Sequence, residues 1–261
     1  MRPVPVLMYH HVSPHKKDMV TVTPEVFEKQ MEHLYKSGYK TLTLDELLSY
    51  INGDLIPEQK AVVVTFDDGW LDNYIYAFPV IEKYKIHAAI FIITGSTGKA
   101  SENQAQLPSH TPTHKESKLL IKKGEEQKVL LNWELIKKMS ATGLVDFYSH
   151  TKSHKKCSLL SETELLEELS ESKQALEKKL GKDCPYLCWP YGDYNNAAVK
   201  VAKDAGYKAL FTIQHGIVKA GADPFAIKRI VVKDNAAWFK KRVVVYTNSM
   251  LSALYIKIKK K

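Results

Sequence analysis

Three cysteines, Cys157, Cys184 and Cys188, are too few for a disulfide framework, and no second close pair accompanies Cys184 and Cys188 to finish a zinc knuckle. They read as buried or incidental thiols. No apolar run approaches the length of a membrane span, and no internal repeat or linker interrupts the chain. The opening Met1-Arg2-Pro3-Val4-Pro5-Val6-Leu7 is too short and too proline-broken for a secretion signal. A cytoplasmic protein is therefore expected, with at most peripheral contact at the membrane face. Nor does any nucleic-acid motif accompany the net charge of +9, so nucleic acid is not an expected partner. The lysines are spread along helix faces, and only Lys257-Ile258-Lys259-Lys260-Lys261 forms a cluster. That charge supports no more than a weak preference for anionic lipid or a phosphate-bearing substrate.

What is present is alternation. Val62-Val63-Val64-Thr65-Phe66 is an apolar, β-branched run that reads as a buried strand, and it ends in Asp67-Asp68-Gly69. Thr23-Pro24-Glu25 offers a helix cap with proline at the first helical position. Thr43-Leu44-Asp45-Glu46 and Ser161-Glu162-Thr163-Glu164 are capping boxes. Strands are expected at the N-terminus and near 39–42, 61–66, 87–93, 144–149, 186–189, 208–212 and 226–233, with helices between most of them, one over 72–84. This predicts an α/β fold with a mostly parallel sheet, open or closed. Residues 95–128, rich in Gly, Ser, Thr, Lys and Gln, break the rhythm at Pro108 and Pro112 and read as a long insertion over the site. Residues 1–235 are thus expected to form one domain with an insertion at about 95–130, followed by a helical segment, 236–261, with a basic tail.

In an α/β fold, sites assemble at the carboxyl ends of strands. Asp67 and Asp68 leave their strand in different directions, so one can hold a metal while the other acts as a base. Taken alone, Asp-Asp-Gly is equally an ordinary turn. Ser149-His150-Thr151-Lys152-Ser153-His154 follows the strand 144–149, and its two imidazoles converge on one ion if the segment turns as a helix. With one carboxylate of the Asp pair they make a set suited to a divalent metal: zinc first, with cobalt or nickel as alternatives. Ser109-His110-Thr111-Pro112-Thr113-His114 repeats the pattern, but it follows no apolar strand and contains Pro112, so the pair at 150 and 154 is preferred. At a third strand end, Cys188-Trp189-Pro190-Tyr191-Gly192-Asp193 can wall a sugar-sized groove with Trp189 beside Pro190. There the Tyr191 backbone N–H can help hold an oxyanion.

Thr65-Phe66-Asp67-Asp68-Gly69, His150-Thr151-x-x-His154 and Trp189-Pro190-Tyr191-Gly192 together resemble, in order, the motifs of the polysaccharide deacetylases, the NodB-homology carbohydrate esterases. The resemblance covers about residues 4–233. It implies a distorted (β/α) barrel and metal-dependent removal of N-acetyl groups from amino sugars. By motif position it makes Asp67 the general base, Asp68, His150 and His154 the metal ligands, and Tyr191 an oxyanion donor.

Two departures stand out. An arginine usually precedes the motif's proline by two residues and braces the catalytic aspartate. Here that position is Cys188, which leaves another cation to do so, with Arg229 the candidate, grouped with Trp189 and Pro190 around the substrate. The family's general acid usually sits in a late Leu-x-His, and residues 217–261 contain no histidine. Pro5-Val6-Leu7-Met8-Tyr9-His10-His11 instead resembles the subgroup that deacetylates poly-N-acetylglucosamine with a circularly permuted barrel, where the acid motif comes first. That makes His10 the acid, with His215 of Ile213-Gln214-His215 its competitor and His11 a packed neighbour. Asp234 and Trp238 resemble the fourth motif faintly, and Asp234 reads as a helix cap. The expected activity is acetate release from an amino sugar of a surface glycan or of its lipid-linked precursor. Peptidoglycan, chitin-type or poly-N-acetylglucosamine polymer is the alternative substrate, and a non-catalytic sugar-binding protein the alternative function.

Overall fold

The computed structural model describes residues 1–15, 18–102, 107, 108 and 110–259, with the side chains of 255–259 left aside, so the basic tail lies outside the described side chains. The first apolar run forms β1 (Val6–Tyr9), beside which β2 (His11–Val12) and β3 (Thr21–Val22) pair with each other. α1 (Pro24–Lys36) begins at the expected proline, but Thr23 does not cap it through its side chain. Its hydroxyl and amide instead donate to Asp234 Oδ1, at 2.7 and 2.9 Å. Asp234 is therefore a tie to the first helix rather than a cap, and Asn235 caps the helix that follows it.

β4 (Lys40–Thr41), the boxed helix α2 (Leu44–Asn52) and β5 (Ala61–Phe66) come next. The helix expected over 72–84 is in fact two geometries: a π-helical turn at Asn73–Ala77, then α3 (Phe78–Tyr84). Single π turns recur at functional sites because they re-aim side chains.

β6 (Ala88–Ile92) leads into the stretch read as an insertion, which is more helical than its composition suggests. α4 (Thr94–Ala100) is poor in helix formers, yet its first amides have partners: Thr94 N donates to Thr151 O and Gly95 N to Lys152 O, at 3.2 and 2.9 Å. Gly95 is needed there, because a Cβ would stand 2.6 Å from Lys152 O. α5 (His114–Lys122) starts from a capping box, Thr113 and Glu116, a signal present in the sequence but passed over.

α6 (Trp133–Ser140), β7 (Val145–Ser149), α7 (Glu162–Leu180), β8 (Tyr186–Cys188), α8 (Asn196–Asp204), β9 (Ala209–His215) and β10 (Ile227–Val231) restore the alternation. α9 (Ala236–Tyr246) and α10 (Ser249–Lys259) follow.

The strands run in the order β1-β10-β9-β8-β7-β6-β5, and a further β1–β5 pairing closes them into a parallel barrel of seven. Closure buries β5 and β6 at every residue, as strands covered on both faces require. The barrel is distorted where β5 serves two partners in succession. Ala61 and Val62 pair with β4, whereas Val63–Phe66 pair with β1. A register shift between Ile227 and Arg229 adds a second irregularity in β10. The (β/α) barrel expected from the motifs is the fold observed. Among the described residues no helix is long and apolar enough to cross a membrane.

Candidate active site

The polar residues singled out in the sequence gather at the carboxyl ends of the strands: His10 after β1, Asp67 and Asp68 after β5, His150 after β7, Trp189 after β8. The backbone bends sharply to bring them together. Of the five non-glycine residues in the left-handed region among those described, four are here: Asp68 (φ 72°), Thr151 (63°), His154 (56°) and Tyr191 (58°). Each such conformation costs about 1–3 kcal/mol and persists only where surrounding contacts hold it. Residues 150–154 therefore do not form the helical turn the spacing suggested. His150 and His154 converge through a left-handed loop, fastened by Ser153 N donating to Glu168 at 2.9 Å and by Thr151 O and Lys152 O accepting from α4.

Asp68 Oδ1 lies 3.4 Å from His150 Nε2 and 3.3 Å from His154 Nε2, while its Oδ2 accepts from Trp70 Nε1 at 3.0 Å. His150 Nδ1 is 2.8 Å from the Cys188 carbonyl. A carbonyl only accepts, so Nδ1 carries a ring proton, and Nε2 is the nitrogen that faces the point shared with Asp68 and His154 and is the one available to an ion. One carboxylate oxygen and two imidazole nitrogens within 4.8 Å of one another fit a divalent ion of the zinc class. Burial alone would raise the Asp68 pKa, but the two imidazoles outweigh it and hold the carboxyl well below the usual range. Asp67, His150 and Cys188 also lie within 4.8 Å of one another. That set fits a metal poorly, because burial pushes the Cys188 thiol up and Asp67 is already engaged.

What engages Asp67 is Arg229. The guanidinium forks onto the carboxylate, Nη1 to Oδ1 and Nη2 to Oδ2, both 2.7 Å. Its remaining donors go to Thr212 O (2.9 Å), Thr65 Oγ1 (3.3 Å) and Cys188 Sγ (3.0 Å), so a side chain of 0% exposure is fully satisfied. Against the cost of burial, Arg229 keeps the Asp67 pKa below normal, and the carboxylate stays ionised. Cys188 leaves room for this arginine, which arrives from β10 instead of from the position two residues before Pro190. Arg229 thus faces Asp67 and not the cavity, a correction to its grouping with substrate-binding residues.

Over these groups lies a cavity of about 490 Å³, lined among others by His10, Asp67, Asp68, His150, His154, Trp189 and Tyr191. His10 Nε2 stands 3.9 Å from Asp67 Oδ2, and burial lowers its pKa despite the two aspartates. His215 lies at the exposed end of β9, its ring edge-on to Tyr246 of α9 with centroids 5.9 Å apart, and it does not line the cavity. Tyr191 presses its ring against His154 at 4.5 Å between centroids. The turn at 190–192 bonds Gly192 N to Trp189 O and Asp193 N to Pro190 O, leaving the Tyr191 amide outside its own hydrogen bonds. Pro190 shapes that turn from a buried position and is not a lining residue. Trp70, His114, Lys118 and Ile213 also line the cavity and were not read from the sequence as site residues. His114 alone carried a signal, as half of the pair set aside.

A parallel barrel with two histidines and a carboxylate converging beside a braced second carboxylate is an arrangement that metal-assisted hydrolysis can use. Comparison with known proteins makes this particular. The profile of the family described as polysaccharide deacetylase matches residues 55–210. A Staphylococcus aureus (strain MSSA476) protein named poly-beta-1,6-N-acetyl-D-glucosamine N-deacetylase is 32% identical over 226 residues, 83% of this chain and 69% of that protein. Among solved structures, a Bacillus cereus polysaccharide deacetylase has a TM-score of 0.74 at 25% identity, over 93% of this chain and 69% of its own. The Streptococcus pyogenes deacetylase PplD, in complex with acetate, shares the fold at a TM-score of 0.78 and 24% identity, over 94% of this chain and 98% of its own. The chain belongs to the polysaccharide deacetylase family.

Proposed function

We propose that this protein hydrolyses the N-acetyl group of a glycan amino sugar, with Asp67 as general base and His10 as general acid. The observation that carries the proposal is the Asp67–Arg229 fork beside the convergent Asp68, His150 and His154, at the floor of a cavity walled by Trp189 and Tyr191. Arg229 holds Asp67 ionised and in one orientation, ready to take the proton of an attacking water. Asp68, His150 and His154 would hold a divalent ion, zinc before cobalt or nickel, and bound there it would supply Lewis-acid polarisation of the acetamide. The Tyr191 amide would donate to the carbonyl oxygen as that oxygen gains charge. His10, with Nε2 3.9 Å from Asp67 Oδ2, would give its proton to the leaving amine, so that acetate and a free amino sugar depart. Acid and base are separate groups, and a bell-shaped pH profile is expected.

The likeness to the S. aureus protein makes a β-linked N-acetylglucosamine polymer the first substrate to try. A lipid-linked precursor at the cytoplasmic membrane face is a narrower form of the proposal, supported by the net charge of +9. The deciding test is acetate release from a panel of N-acetylated oligosaccharides, by protein stripped with chelator and then reloaded with zinc, cobalt or nickel. Release that metal restores and D67N abolishes is the expected result. Release that persists in D67N would remove Asp67 from the reaction.

A further inference from the structure

His11, expected to be a packed neighbour, and His114, set aside with His110, meet in the fold. His11 is 1% exposed and lies between two partners: its Nδ1 is 2.5 Å from Asp72 Oδ2, and its Nε2 is 2.9 Å from His114 Nδ1. Trp70 stacks on the His11 ring at 4.3 Å between centroids and meets His114 edge-on at 5.8 Å. Asp72 is itself fixed, because its Oδ1 accepts from Asn73 Nδ2 at 2.9 Å, the same amide that donates to His10 O at 2.8 Å. The line therefore begins beneath the residue proposed as acid. It ends at the first residue of α5, where His114 lines the cavity that holds Asp67, Asp68 and His10. Burying Asp72 and His11 and half-burying His114 is costly, and an apolar trio of the same shape would pack as well.

Proton bookkeeping shows what the line presents to the cavity. A carboxylate only accepts, so His11 Nδ1 carries a proton, and one further proton is shared between His11 Nε2 and His114 Nδ1. Burial opposes charge on His11, but Asp72 outweighs it and the His11 pKa rises. Burial and the charge of His11 both lower that of His114. The shared proton therefore belongs to His11, His114 Nδ1 accepts it, and the proton of the neutral His114 ring sits on Nε2.

We propose that His114 is a further substrate-positioning residue, whose Nε2–H donates to an oxygen of the bound sugar, and that Asp72 and His11 hold it in that tautomer and orientation. A sugar is rich in hydroxyl, ring and acetamido oxygens that accept from such a donor, and the nearby Trp70 adds an apolar surface to the same wall. The inference rests on the reading that this cavity takes an N-acetylated amino sugar.

The test has two arms. Binding of a short N-acetylglucosamine oligomer to D67N protein is followed by the fluorescence of the cavity tryptophans, and KM and kcat for acetate release are measured without that substitution. H114A is expected to weaken binding and raise KM about tenfold, the loss of one hydrogen bond, with kcat little changed. H114Q keeps a donor and is expected to restore most of the loss, with the thermal midpoint the same in both variants. D72N is expected to weaken binding about threefold beside His114 and to add nothing in the H114A background, since it acts only through His114. Binding and KM unchanged in H114A, or a loss that H114Q does not restore, would overturn the proposal. Acetate release indifferent to His114 would leave the deacetylase reading standing and remove this one. Binding that depends on His114 without acetate release would do the reverse, and absence of any binding would count against both.

Discussion

Ser149–His154 and Ser109–His114 carry the same pattern, Ser-His-Thr-x-x-His, around one cavity, and they differ in what precedes them. The first leaves a buried strand of the barrel, so His150 is pinned by Cys188 O and His154 by a loop tied to α4 and α7. Its ring centroids stand 4.9 Å apart. Among the described residues the second does not leave a strand, and it runs into α5. His110 is exposed, while the capping box at Thr113 makes His114 a helix start that reaches His11. Spacing alone does not bring two imidazoles together; a rigid strand end beside a carboxylate does.

The largest expected effect breaks that comparison directly. H150A or D68A is expected to lower bound metal from one equivalent toward none and acetate release by about 10³-fold or more, since the site loses its ion along with a ligand. H110A is expected to stay within about twofold of native in both. Metal analysis and acetate assay on the three variants check this, and equal losses from H110A would dissolve the distinction. Next in size, D67N and H10A are expected to reduce turnover by about 10²–10⁴-fold while metal content stays native. H215A is the control, expected to leave the rate unchanged, and a rate lost in H215A but kept in H10A would transfer the acid role to β9.

Much of this was legible because strand ends are legible. The apolar run Val62–Phe66 stops at Asp67, the strand Val145–Ser149 stops at His150, and the barrel brings those stops to one rim. The paired aspartates and both preferred histidines are there. The parts that escaped depend on backbone geometry or on distant pairing. The left-handed φ of Thr151 and His154 has no glycine to announce it. The brace on Asp67 crosses 162 positions of sequence. Arg229 is a candidate for it only because Cys188 stands where the motif arginine is expected, and what stayed hidden is that the guanidinium is wholly buried and faces Asp67 instead of the substrate. α4 was missed because its helix is held by carbonyls of the loop after β7, a tertiary cause that propensity does not contain. Asp72–His11–His114 was missed because its members lie in three separate elements.

The brace is tested next, as a matter of stability. R229M leaves Asp67 ionised, buried and unpaired, and is expected to destabilise the protein by about 3 kcal/mol or more. Adding D67N to R229M removes the stranded charge and is expected to recover part of that loss. Urea denaturation of the four proteins completes a double-mutant cycle. Independent, additive losses would mean that the fork contributes nothing as a pair.

The smallest expected effect concerns the second histidine run and its anchor. The folded protein holds the His11 proton more tightly than the unfolded chain does: burial works against it, but the Asp72 carboxylate outweighs burial. The stabilisation from this pair is therefore complete below the ordinary histidine value of 6.5 and is lost as pH rises through the higher folded value. Chelator-treated native protein should thus lose stability as pH rises above the ordinary histidine value of 6.5, and part of that slope should vanish in D72N. The difference between the two proteins isolates the pair, because groups away from it titrate alike in both. A D72N slope identical to native would mean that His11 is not charged in the fold. The tautomer assigned to His114 would then reverse, with its Nε2 accepting instead of donating.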